Sequence, residues 1–238
     1  MPDSPLKNER TPAWLRALPL AALSFAVMAV PWVGIAAAAW FLPPILPAWR
    51  ALGWVTFLPF VAVAGLLVGF ALAPTHLTSV LSGYLFGTAG GALAALGTIA
   101  LGSAIGYQAA RRLASDRLRD ILEDSRWGRV LVGEMIDASP SRAAIAVALA
   151  RLPPQVPFAV GNLLGASARI PLCSLLAGTV LGMVPRASLA ALVGSQLADW
   201  QPGAPLPAGL AWAIVATVVG FGSLTVWGAA ILRRKETV

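Results

Sequence analysis

Long apolar stretches dominate the pattern of hydrophobic and polar positions along this chain. No Asp, Glu, Lys or Arg occurs from residue 51 to residue 110, and none occurs from 200 to 232. A membrane-spanning helix needs roughly 20 apolar residues, because the hydrocarbon core of a bilayer is about 30 Å thick. The pattern therefore predicts an all-α, polytopic transmembrane protein whose partners are membrane lipids.

Proline, glycine and charged residues divide the chain into four predicted regions. These are a cytoplasmic N-terminal segment at 1–17, N-terminal transmembrane spans at 18–72, a core at 73–198, and a C-terminal span with a basic tail at 199–238. Five full spans are predicted within them, near 18–42, 54–72, 88–110, 170–198 and 208–232. An odd number of spans puts the termini on opposite sides of the membrane, whereas the Lys and Arg residues at both ends favour the cytoplasm. Either one broken segment crosses the membrane or one long span does not.

Two segments of the core interrupt the apolar pattern with proline and glycine. The first, 74–87, is too short to cross a bilayer, and the second, 143–165, holds Pro153, Pro154 and Pro157, which exclude one continuous helix. Unpaired backbone groups in hydrocarbon cost several kcal/mol each, so a broken helix persists only inside protein or beside a watery cavity. We therefore predict two re-entrant segments.

The two broken segments share the pattern G-x-L-x-G, as GYLFG at 83–87 and GNLLG at 161–165. The glycines of this pattern are Gly83, Gly87, Gly161 and Gly165. Corresponding Gly- and Pro-interrupted segments in two halves are typical of inverted-repeat transporters, whose substrate site lies near the bilayer midplane. The alternative is a pair of kinked packing helices with small residues at their contacts.

Arginines bracket the second broken segment. Arg151 lies just before its prolines, and Arg169 follows GNLLGAS. Ionisable residues inside a membrane are costly and are candidates for function, although either side chain could instead snorkel to the interface. Arg111, at the end of the uncharged stretch, is a further candidate and more simply an interfacial anchor. The charged segment that follows, 111–142, is either an amphipathic helix on the membrane surface or a soluble helix against the protein.

Other functional classes find little support in the composition. The net charge of +7 is spread over helix ends and does not form a phosphate-tracking stripe, so no nucleic-acid partner is predicted. Cys173 and His76 are the sole cysteine and histidine of the chain. A lone cysteine and a lone histidine give neither a disulfide framework nor a zinc site of ordinary spacing, so no metal or cofactor is predicted. Without paired carboxylates or a nucleophile with a base, the chain is not predicted to be an enzyme.

Two blocks of sequence resemble the VTT-domain family of DedA-like and SNARE-associated membrane proteins, closest to its Golgi Tvp-like branch. One is a Gly-rich stretch that ends in an aromatic-x-x-x-Arg motif, here Tyr107 to Arg111. The other is the pattern of Arg, spaced prolines, Phe, Asn and Gly. In this chain it consists of Arg151, Pro154, Pro157, Phe158, Asn162 and Gly165.

The resemblance implies two re-entrant hairpins that face each other across the bilayer, and movement of phospholipid or polyprenyl phosphate between leaflets. This chain departs from the family pattern in one respect. DedA-like members place acidic residues near the first re-entrant segment, and this chain has none between 51 and 110. His76 is a candidate proton relay in their place, or a structural residue.

We predict that Arg151, Asn162 and Arg169 bind a lipid phosphate in a midplane cleft of a multi-pass protein of the cell membrane, since a guanidinium engages phosphate oxygens bidentately. The alternatives are a proton- or ion-coupled transporter of small solutes and a non-transporting membrane scaffold. Whether the protein forms a homo-oligomer stays open.

Overall fold

In a computed structural model, residues 40–113, 139–152 and 157–200 are described, together with isolated positions within 33–37 and 205–219. Most of the predicted spans 18–42 and 208–232, most of the charged segment 111–142, and Pro154 lie outside the described residues. The described part is helical and contains no strand. The predicted all-α class is confirmed.

The described helices differ widely in length. They are α1 (Leu46–Leu52), a 3-10 turn (Gly53–Thr56), α2 (Phe57–Gly69), α3 (Thr75–Leu113), α4 (Pro140–Arg151), α5 (Phe158–Ser167) and α6 (Leu172–Leu197). Three continuous stretches are long and apolar enough to cross a membrane, namely Leu46–Gly69, Thr75–Arg112 and Leu172–Leu197. These stretches support the predicted membrane protein.

α3 is divided at Gly87, which has φ 72° and ψ −175°. Only glycine adopts this conformation at low cost, because a side chain would clash with the backbone. The first arm, residues 75–86, folds against the second arm, residues 88–113. The Ser82 hydroxyl donates to the Gly91 carbonyl over 2.8 Å, and a side-chain carbon at Gly91 would lie 2.5 Å from the Cα of Gly83.

The second arm and α6 form the centre of the fold, running antiparallel beside each other. At one end the Thr88 and Ser195 hydroxyls hydrogen-bond over 2.8 Å. Further along, Ile99 and Met183, which are 0% and 1% exposed, belong to one buried cluster. Each of these two units is roughly 39 Å long at 1.5 Å per residue, enough to span the hydrocarbon core.

Glycines set the closest helix contacts. The first arm crosses α6 where Gly83 lies on the backbone of Ala191 and Gly194 lies on the carbonyl of Val80. No side chain fits at either glycine without moving the partner helix. Small residues at such crossings let two backbones approach, which is how helices in lipid gain van der Waals contact.

α2 and α5 both end in a Schellman motif, with a left-handed residue and a 6→1 hydrogen bond. In α2 the left-handed residue is Ala71 (φ 58°), and the Leu72 N–H donates to the Leu67 carbonyl over 2.8 Å. In α5 it is Arg169 (φ 53°), and the Ile170 N–H donates to the Gly165 carbonyl over 3.0 Å. Each motif stops its helix and turns the chain.

Candidate functional site

Arg151 is a buried cation at the end of α4. Its side chain is 5% exposed, and its two terminal nitrogens both donate to α5. Nη1 donates to the Phe158 carbonyl over 2.9 Å, and Nη2 donates to Oδ1 of Asn162 over 2.5 Å. The guanidinium carbon also lies 4.9 Å from the centroid of the Phe158 ring. Arg151 thus joins the two short helices on either side of the predicted break.

Asn162 is the hub of this polar cluster and is 1% exposed. Its Oδ1 accepts from Arg151 and also from the Ser103 hydroxyl of the second arm, over 2.8 Å. A guanidinium can only donate, which fixes the amide oxygen on that side and turns Nδ2 away. Within the described part of the chain, Nδ2 has no hydrogen-bond partner. Nδ2 instead faces the second arm, where a side-chain carbon at Gly106 would lie 2.7 Å from it.

The sequence of α5 accommodates the guanidinium. Gly161 lies directly against it, so that a side-chain carbon there would overlap Nη1 and would lie 2.7 Å from Cζ. Pro157 precedes α5 as its N-cap, and its fixed φ suits the start of a helix. Of the predicted motif residues, Phe158 and Gly161 therefore lie against Arg151. Gly165 packs on Leu175 at the other end of α5.

The aromatic-x-x-x-Arg motif lies apart from this cluster. The buried Tyr107 hydroxyl donates to the Ile170 carbonyl over 2.7 Å, which braces the second arm against the turn after α5. The exposed Arg111 donates from Nη1 to the Tyr107 oxygen over 3.5 Å. Arg169 is also exposed and lies in that same turn, at the opposite end of α5 from Arg151. The structure brings Arg151 and Asn162 together and leaves Arg111 and Arg169 outside their cluster.

Removing the Tyr107 hydroxyl is expected to destabilise the fold. Tyr107→Phe keeps the ring but leaves the Ile170 carbonyl without its donor at a position that is 1% exposed. An unsatisfied buried acceptor costs about 1–3 kcal/mol. Thermal unfolding in detergent should show a lower midpoint than the wild type, and an unchanged midpoint would contradict a bracing role.

Negative charge is scarce around the site. Among the described residues Asp199 is the one Asp or Glu, and its Oδ1 accepts from Nη2 of Arg50 over 2.8 Å at the far end of α6. The described acceptors of Arg151 are both neutral. In the same part of the chain no three His, Cys, Asp or Glu residues lie together as metal ligands.

Sequence reasoning missed two residues near the cluster. Ser103 carried no signal, because hydroxyls are common in the apolar helices of this chain. Arg186 did carry one, since it is a charge within the apolar stretch 170–198, directly after Pro185. It lies one helical turn from Gly182, the residue of α6 against which Arg151 packs. His76 lies at the start of the first arm and is exposed.

A buried arginine between two short helices, in a chain with membrane-length apolar helices, defines a helical membrane protein with an internal polar site. Residues 73–196, more than half of the chain, match the family model described as the VTT domain. The chain therefore belongs to the VTT-domain family, and the DedA-like resemblance is confirmed at that level. No curated protein and no solved structure matches the chain. Assignment to the Golgi Tvp-like branch stays a prediction.

Proposed function

We propose that this protein moves phosphate-bearing lipid headgroups between the leaflets of the cell membrane, and that Arg151 and Asn162 bind the phosphate. The observation that carries the proposal is the environment of Arg151. Arg151 is buried, and both of its acceptors among the described residues are neutral; a charge buried in a membrane protein is costly and is a candidate for function. Phosphate oxygens match the planar N–H fork of arginine.

The depth of Arg151 is inferred from its neighbours on α6. α4 lies along α6, with the carbonyl of Ala144 at Gly178 and the Cβ of Arg151 at Gly182. Gly182 is close to the middle of α6, which spans 26 residues. If α6 crosses the bilayer, α4 enters from the end where α6 begins and stops near the midplane, and α5 returns to the same end. The two helices then form a re-entrant hairpin.

A second hairpin is inferred at the opposite end. The 3-10 turn before α2 lies beside the turn at Gly87, where Trp54 lies on Gly90. α2 ends where Gly69 meets Ile105, about two thirds of the way along the second arm. The first arm then returns, with Ser82 bonded to Gly91. α2 has 13 residues, roughly 20 Å of helix, and would need α1 to cross. α1 is held at the end of α6, where Arg50 binds Asp199.

The two halves of the core then correspond as an inverted repeat. α2, the first arm and the second arm match α4, α5 and α6 in order. In each half, a glycine of the long helix that is followed by threonine lies against the first of the two short helices. Gly97 contacts Val61 of α2, and Gly178 contacts Val147 of α4. The adjacent Thr98 and Thr179 are both 0% exposed. This packing correspondence supports the repeat that GYLFG and GNLLG suggest.

An arrangement of two hairpins would be consistent with both predicted locations of the termini. If the predicted span 54–72 is part of a hairpin that does not cross, four spans remain, at 18–42, 88–110, 170–198 and 208–232. An even number puts both basic termini in the cytoplasm, as their charge favours. Labelling single cysteines at the two termini with an impermeant reagent should modify both from the same side, and modification from opposite sides would contradict the arrangement.

The function is tested by reconstitution in liposomes. A fluorescent phospholipid is placed in both leaflets, and an impermeant quencher added outside reports how fast the inner pool appears. Wild-type protein should accelerate exchange over protein-free liposomes without any ion or proton gradient. A rate equal to that of protein-free liposomes would contradict lipid movement. Exchange that requires a proton gradient would instead favour the coupled-transporter alternative.

A further inference from the structure

Arg186 is a second cation within reach of the proposed lipid site. It follows Pro185 in the middle of α6, and its Nη2 donates to Sδ of Met183 over 3.5 Å. The side chain therefore turns back along α6 toward its N-terminal half. Met183 is 1% exposed and belongs to the buried cluster against which Phe158 packs.

Arg186 and Arg151 converge on this cluster from two helices. The Cβ of Arg151 lies at Gly182, which is one helical turn from Arg186 and therefore on the same face of α6. The guanidinium of Arg151 lies over the Phe158 ring, and that of Arg186 lies beside Met183. The two guanidiniums thus approach one buried cluster from neighbouring helices.

Like charges in an apolar environment repel strongly, because little solvent screens them. No Asp or Glu among the described residues of α2 to α6 offsets these charges, since Asp199 follows α6 and binds Arg50. Unused polar groups lie nearby. Asn162 Nδ2 and the hydroxyl of Thr179, one turn before Gly182, have no hydrogen-bond partner within the described chain. A cluster of this kind is completed by a negatively charged ligand.

We propose that Arg186 is an additional binding residue of this site and that it makes the site selective for lipids of net negative charge over zwitterionic lipids. The inference rests on the proposed function. A headgroup whose phosphate carries no compensating ammonium can engage both guanidiniums at once. A zwitterionic headgroup brings an ammonium into a region of positive potential where the described chain offers it no carboxylate.

The selectivity is measured by exchange of two lipids with identical acyl chains, a phosphatidylglycerol and a phosphatidylcholine. The wild type should move the anionic lipid faster, and Arg186→Gln should reduce the ratio of the two rates by about 10-fold, the effect of one charge-assisted hydrogen bond. Arg142→Gln removes the same charge from an exposed position on α4 and should leave the ratio unchanged. Equal rates for the two lipids in the wild type, or an unchanged ratio in Arg186→Gln, would overturn the inference.

A binding measurement separates this inference from the proposed function and does not need the variant to fold. Short-chain forms of the same two lipids are added to detergent-purified wild-type protein, and the midpoint of thermal unfolding is recorded. The anionic lipid should raise the midpoint more than the zwitterionic lipid, and equal shifts would overturn the inference. If binding is selective while liposomes show no exchange, the anion site stands and the transport proposal fails.

Discussion

Arg151→Gln is expected to reduce leaflet exchange by about 10- to 100-fold, the range for loss of a hydrogen bond from a charged group. Glutamine retains an N–H donor for Asn162 but removes the positive charge and the second donating nitrogen. The lipid phosphate would then have no positive charge at position 151 to bind while it passes between the leaflets. Initial rates in liposomes with equal amounts of protein measure the effect.

Two further variants separate the effects of charge, side-chain shape and position in the structure. Arg151→Lys retains the charge without the planar fork, so its exchange rate should lie between those of the wild type and Arg151→Gln. Arg142→Gln removes a charge from the exposed first turn of α4 and should exchange at the wild-type rate. Equal loss in Arg142→Gln and Arg151→Gln would indicate that net charge, and not the buried site, controls exchange.

Gly83→Ala is expected to destabilise the core, although alanine normally favours a helix over glycine by about 1 kcal/mol. The added carbon would lie 2.6 Å from the Cα and carbonyl carbon of Ala191, both of which are backbone atoms. The first arm and α6 must move apart, and overpacking of this kind costs about 1–3 kcal/mol. Thermal unfolding in detergent should show a clearly lower midpoint.

Gly97→Ala is the matched control for that variant. Its added carbon would lie 3.3 Å from a methyl group of Val61, a side chain that can shift slightly. The midpoint should stay constant or rise, as expected for alanine in a helix. If Gly83→Ala unfolds at the same temperature as Gly97→Ala, the close crossing of the first arm and α6 is not present in the protein.

Much of the fold could be predicted from local sequence. The uncharged stretches indicate membrane helices because lipid excludes charge, and Pro157 and Gly87 mark real helix boundaries because each restricts or frees φ in a known way. Arg151 and Asn162 could be paired through the motif they share with the family. These signals act within a few residues of the chain.

Contacts between distant segments could not be predicted. Hydropathy reads 54–72 as one span, and only the position of Gly69 beside Ile105 indicates that this segment ends within the core. Arg169 follows the broken segment as closely as Arg151 precedes it, yet the length of α5 separates them. Arg186 lies 35 positions beyond Arg151 in sequence and reaches the same cluster through the packing of α4 on α6.

The central claim is that two hairpins enter from opposite sides and meet near the midplane, and the depth of Leu72 tests it most directly. In a Cys173→Ser background, a fluorophore on Leu72→Cys is quenched by lipids that carry nitroxides at different depths. Matched sites are Trp54 and Leu181, both exposed, in the 3-10 turn before α2 and in the middle of α6. The account predicts that position 72 lies as deep as position 181 and deeper than position 54. A label at 72 that lies at headgroup depth would show that α2 crosses the bilayer and would contradict the account.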